Sequence, residues 1–336
     1  MPTETDAKRE PIAKSEDVMM KSSSNVAKLE RRNFLTGGAV AAASGLTGGG
    51  TPALAESTGG RKTYVLVHGA WHNAQHWQPV ARRLSTLGHS VVALDLPGHG
   101  LNARFPAAYL SGDSKGIAKE PSPLKDITLD DAAKSVAAAV AALGSGNVVL
   151  VGHSVGGAII TRAAELAPER IASLVYLTAF APVGLPSAAA YGALPEFQTG
   201  YGAGLIVANP GDIGAVRINP RGDKAYLQQL HDTYYNDVAY EDFLAFALAL
   251  TPDFPLSYWI GEPKATAQRW GRIPRTFIRC TQDRALAPAV QDKMIADADR
   301  LTPENKFKVE TIGSSHSAFA SRPEIVAAIL EKVGSS

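Results

Sequence analysis

Residues 147–158 read NVVLVGHSVGGA, an apolar run that breaks at Gly152-His153-Ser154-Val155-Gly156 and resumes in small residues. Four apolar side chains in succession suit a strand covered on both faces. Gly156-Gly157-Ala158 then opens a helical stretch, so the pentapeptide occupies a strand-to-helix turn. Glycine on both flanks removes the Cβ atoms that would obstruct so cramped a backbone. The serine at its centre is lifted above the sheet edge and onto a helix N-terminus, which is where a nucleophile is wanted.

Outward from this turn the same pattern repeats. Apolar, β-branched runs predict strands at residues 63–67, 90–94, 147–151, 172–177, 276–280 and 306–311, each reading as a run buried on both faces. Helical periodicity predicts helices at 77–87, 129–143, 156–167, 287–298 and 322–333, with Thr128 as an N-cap and Asp130 and Asp131 in the first turn that follows. Strands alternating with helices define an α/β class, a mostly parallel sheet flanked by helices. Two segments break the rhythm. Residues 97–127 form a long loop rich in Gly and Pro, and residues 181–272 carry helical pieces at 225–233 and 240–249. The second segment reads as a helical cap over the carboxyl edge of the sheet, where open α/β sheets bind ligands.

A serine hydroxyl needs a base, and in this class the order along the chain is serine, acid, histidine. His316 follows the last strand on the loop Gly313-Ser314-Ser315-His316, and Asp283 follows the strand at 276–280, so both reach the edge that carries Ser154. Asp253, inside the cap, and Asp95, which precedes the nucleophile, are rival acids. An oxyanion requires fixed N–H donors. Val155, next to the serine, supplies one, and Ala70 in His68-Gly69-Ala70-Trp71 supplies the other. His68, His72 and His76 recur at spacing four like metal ligands, yet no H-E-x-x-H motif is present and Gly69 interrupts any helix there. No metal site and no cofactor are expected. His153 reads as a packed neighbour of the serine.

The composition is that of a folded enzyme: 336 residues, 45% hydrophobic, 19% charged and net charge +1. Balanced charge without a basic stripe speaks against nucleic acid as a partner, and one cysteine, Cys280, excludes an intramolecular disulfide. Residues 1–55 have a different texture. Arg31-Arg32-Asn33-Phe34-Leu35 precedes a weakly apolar run of Gly, Ala, Ser, Thr, Val and Leu, and Ala53-Leu54-Ala55 offers small residues at a cleavage site. This resembles a bacterial twin-arginine signal peptide. The precursor would then engage twin-arginine export machinery, and residues 56–336 would be a periplasmic or secreted domain with no membrane span.

The stretches Val65 to Gly100, Gly152 to Gly157 and Thr281 to His316 resemble the α/β-hydrolase superfamily, in the branch of salicylate methylesterases, hydroxynitrile lyases and pyrethroid-type carboxylesterases. The resemblance covers nearly all of residues 62–333 and is weakest in the cap. It implies an α/β-hydrolase fold with a helical cap inserted after the sixth strand. Carried over, Ser154, Asp283 and His316 are the catalytic triad, and Ala70 and Val155 the oxyanion donors. The reaction implied is hydrolysis of a small-molecule carboxylic ester through an acyl-enzyme. A lyase or C–C hydrolase using the same triad is the alternative. Hydroxynitrile lyases add a threonine and a lysine where this chain has Gly69 and Ser317, and dehalogenases and epoxide hydrolases use an aspartate where it has Ser154, so each departure favours an esterase. Tyr191, Phe197, Leu205, Tyr234, Tyr235, Phe243, Phe246, Phe254, Tyr258 and Trp259 make the cap either a hydrophobic substrate wall or simply a core of its own.

Overall fold

Six strands, delivered one at a time by the chain, pair side by side into a single parallel sheet. A computed structural model describes residues 60–144, 147–197, 202 and 204–333; the signal peptide expected at 1–55 lies outside them. The elements are β1 (Thr63–Val67), α1 (Gln78–Thr86), β2 (Ser90–Leu94), α2 (Ala107–Ser111), α3 (Leu129–Ala142), β3 (Val148–Ser154), α4 (Gly156–Leu166) and β4 (Ile171–Ala179). The insertion then supplies α5 (Ala188–Gly192), α6 (Pro210–Ile213), β5 (Ala215–Arg217), α7 (Lys224–Tyr234), α8 (Tyr240–Leu248), β6 (Asp253–Pro255) and α9 (Leu256–Ile260). The chain returns with β7 (Arg275–Cys280), α10 (Pro288–Leu301), β8 (Lys308–Ile312), α11 (Ala318–Ser321) and α12 (Pro323–Lys332).

The sheet order is β2-β1-β3-β4-β7-β8, every pairing parallel. All carboxyl ends therefore share one edge. Val65, Leu66, Val67, Leu150, Val151, Leu174 and Val175 lie sealed within the sheet, and each such side chain contributes about 1.5–3 kcal/mol by leaving water. The edge strands differ from the doubly buried pattern expected of them. β2 is half-buried throughout, and β8 exposes Lys308, Val309 and Thr311, because each lacks a neighbour on one side. Thr128 caps α3 as expected, accepting the Asp131 N–H while the Asp131 carboxylate accepts the Thr128 N–H.

The insertion leaves the sheet after its fourth strand in chain order, which corrects the sixth-strand position: among the described residues only β1 to β4 precede it. It is also not wholly helical. β5 and β6 form a short antiparallel pair, and across that pair the Arg217 guanidinium grips the Asp253 carboxylate through Nε at 2.6 Å and Nη2 at 2.8 Å, both side chains buried. Arg217 Nη1 donates to the carbonyls of Ile117 and Glu120. The loop at 97–127, which contains α2, is thereby tied to the cap. No helix among the described residues is long and apolar enough to cross a membrane.

Candidate active site

β3 ends at Ser154 and α4 begins two residues later, so the turn is as tight as the sequence demanded. Ser154 has φ of +52°, the left-handed region that costs a residue with a Cβ roughly 1–2 kcal/mol. The surrounding turn holds it there. A Cβ at Gly156 would lie 2.5 Å from the His68 carbonyl oxygen, so only glycine lets α4 start this close to the loop after β1.

His316 sits on the loop after β8. Its Nδ1 hydrogen-bonds Asp283 Oδ2 at 2.7 Å, and both side chains are buried. The Asp283 carboxylate is held on every side: Oδ1 accepts the N–H groups of Ala285 (2.8 Å) and Leu286 (2.7 Å), and Oδ2 also accepts the Thr178 hydroxyl. Thr178, at the end of β4, escaped the sequence reading because 105 residues separate it from Asp283. The rival acids are occupied elsewhere. Asp253 is committed to Arg217, and Asp95 accepts the N–H groups of Ala74 and Leu101.

Ser154, His316, Ala70 and Val155 line one cavity of about 330 Å³, a volume suited to a small organic molecule. Val155 precedes α4, whose first N–H groups have no acceptor within the helix. The orientation of the Gly69–Ala70 peptide is set by His68. His68 Nδ1 donates to the Gly69 carbonyl at 2.8 Å while Nε2 accepts the Leu96 N–H at 3.1 Å, which fixes one neutral tautomer. The Gly69 carbonyl and the Ala70 N–H belong to one planar trans peptide, so anchoring the carbonyl aims the N–H the opposite way. His72 holds the next peptide, its N–H and Nδ1 both donating to the Ala70 carbonyl, and His76 Nε2 donates to the Phe246 carbonyl. The histidines at spacing four are struts of this loop. No group of three or more metal-ligating side chains is gathered among the described residues.

His153 is the packed neighbour expected, its Nε2 donating to the His316 carbonyl at 2.9 Å. Burial holds its imidazole well below the ordinary range, followed by repulsion from His316. Gly69 is confined from the same side: a Cβ there would lie 2.7 Å from Ser154 Cβ and 2.8 Å from His153 Nδ1. No threonine fits. The cap aromatics divide. Phe197, Tyr234, Phe254 and Trp259 face the cavity with Trp71, Phe180 and Leu286, whereas Tyr191, Leu205, Tyr235, Phe243 and Tyr258 are buried core.

A serine on a strained strand-to-helix turn, with a histidine–aspartate pair at the same sheet edge, is the layout of an α/β hydrolase. Residues 64–329 match the alpha/beta hydrolase family, and the chain belongs to it. Relatives include putative methylesterase 14, chloroplastic, of Arabidopsis thaliana, 28% identical over 283 residues that cover 81% of this chain and 72% of that one. Methyl jasmonate esterase 1 of Vitis vinifera is 28% identical over 279 residues, 80% and 95% of the two chains. A solved pyrethroid hydrolase from Sphingobium faniae superposes with a TM-score of 0.61 at 23% identity, covering 82% of this chain and 98% of its own, which shows the shared fold.

Proposed function

We propose that this α/β hydrolase is a serine carboxylesterase acting on small esters with a hydrophobic acyl part, methyl esters among them. The observation that carries the reading is the His316–Asp283 hydrogen bond at 2.7 Å, placed so that His316 shares a cavity wall with Ser154. Ser154 Oγ attacks the ester carbonyl carbon as its proton passes to His316, and Asp283 holds the imidazole in the required tautomer and steadies the imidazolium. The N–H groups of Ala70 and Val155 take the charge on the carbonyl oxygen. The carbon–oxygen bond to the alcohol then breaks, and the leaving alkoxide takes the proton from His316. Water, deprotonated by His316, finally releases the acid from Ser154. The methylesterase relatives support an ester as substrate, and the confinement of Gly69 weighs against the lyase variant.

Hydrolysis of methyl and p-nitrophenyl esters from acetate to decanoate, with and without a fluorophosphonate, tests this. Turnover that the reagent abolishes by labelling Ser154 is expected, with an optimum at medium chain length; absence of both turnover and labelling refutes it. Export is proposed from the leader alone. N-terminal sequencing of the protein from a periplasmic fraction should begin at Glu56, and a cytoplasmic protein that keeps residues 1–55 overturns it.

A further inference from the structure

Tyr234 ends α7 with its ring edge-on to two parts of the site: the His316 imidazole at 5.7 Å and the Trp71 indole, also at 5.7 Å. It therefore stands between the proposed base and the loop that carries Ala70. The polar atoms near it are mostly spent. Trp71 Nε1 donates to the Val216 carbonyl and the Thr233 hydroxyl to the Gln229 carbonyl. Other cap phenols are also satisfied: Tyr235 bonds His72 Nε2 at 2.7 Å, Tyr258 donates to the Pro97 carbonyl and Tyr191 to Asp297. Among the described residues the Tyr234 hydroxyl has no protein partner, yet its side chain lines the cavity. Desolvation, then the charges of Tyr226 and Asp283, push the phenol well above its ordinary range.

We infer that Tyr234 is a specificity-determining residue, whose hydroxyl donates to a second oxygen acceptor that the substrate carries a few bonds from the scissile carbonyl. The inference rests on the ester reading above. A wall otherwise apolar at this point gives such an acceptor no competing donor, and a site with one unpaired hydroxyl discriminates against ligands that leave it so. The favoured substrates are then oxygenated acyl esters, such as keto acid esters, over plain alkyl ones of equal size.

Binding is measured by calorimetry on the full chain carrying Ser154→Ala, alone and with Tyr234→Phe added. The ligands are methyl nonanoate and methyl esters of the same length with a ketone placed at successive acyl positions. At least one keto ester should bind about tenfold more tightly than methyl nonanoate, about 1.4 kcal/mol, and Tyr234→Phe should reduce that ratio to unity. Equal affinities, a keto preference that survives Tyr234→Phe, or no binding of any ester overturns the inference. Failure of the esterase reading alone gives a different result: the preference is present in binding, while the protein with Ser154 intact turns over none of the esters.

Discussion

Mild acid is expected to unfold this protein through its histidines before its carboxylates titrate. His68, His72, His76, His99 and His153 are all buried. Desolvation lowers each imidazole from 6.5, to about 4 for His76 and His99 and well below the ordinary range for the other three. Crowding adds to this: His72 lies 4.5 Å from His76 and 5.5 Å from His153, and His68 lies 4.9 Å from His99, centroid to centroid. Asp95 and Asp253 pull His99 back only in part, as Asp95 does His76. Because the folded values are depressed, the unfolded chain binds the extra protons. The stabilisation is whole above 6.5, shrinks as pH falls through that value, and stops shrinking only where the folded groups themselves titrate. From about pH 7 to 5.5 each group removes a little over ~1 kcal/mol, so the five together remove about 6 kcal/mol. That approaches the whole stability of an ordinary domain, about 5–15 kcal/mol. Urea unfolding at a series of pH values should give a slope approaching five protons near the lower end. His99→Asn, which keeps a donor for the Pro97 carbonyl, should reduce it by one. A free energy of unfolding that is flat from about pH 7 to 5.5 would refute the reasoning, since it would mean that the folded protein accepts these protons as readily as the unfolded chain.

Three further outcomes separate catalytic from structural roles. Ser154→Gly should be more stable to urea unfolding than Ser154→Ala, by about 1 kcal/mol, because glycine relieves the positive φ, and both should be inactive in ester hydrolysis. Asp283→Asn should lower kcat by about four orders of magnitude through the wrong His316 tautomer. Asp253→Asn should instead cost about 3–5 kcal/mol of stability by stranding Arg217 while the folded protein keeps most of its kcat, and the reverse order would reassign the acid. Gly69→Thr, whose Cβ meets Ser154 Cβ at 2.7 Å, should lower kcat/KM by about 100-fold through displacement of Ser154, the proposed nucleophile; wild-type kinetics would show that the turn yields freely.

The central strands were legible because burial on both faces forces continuous apolar runs, as in Val148 to Val151 and Leu174 to Leu177. β8 was read two residues early because an edge strand with exposed Lys308 and Val309 carries no such signature. β5 and β6, three residues each, are too short for any periodicity to register. The elbow declared itself through Gly152 and Gly156, where backbone proximity forbids any other residue. The acid was only ordered by sequence: Asp253 and Asp283 differ in which partner the fold brings them, Arg217 or His316, and neither partner is near in the chain. Likewise Tyr234 and Tyr235 are adjacent and chemically identical, yet the end of α7 between them turns the first to the cavity and the second to His72.

The histidines at spacing four connect the proposed chemistry to the expected acid lability. Each of His68, His72 and His76 uses one nitrogen to anchor a backbone carbonyl and keeps the other as an acceptor, for the Leu96 N–H, the Tyr235 hydroxyl and the Asn73 N–H respectively. For His68 that arrangement requires neutral imidazole, since protonation would convert Nε2 into a second donor facing the Leu96 N–H. The peptide that carries the Ala70 N–H is therefore anchored by a ring that acid would turn against its Leu96 partner. Loss of activity and loss of structure below about pH 6 should coincide, because the same five histidines that make the fold proton-sensitive include His68, which anchors the peptide carrying the proposed oxyanion donor.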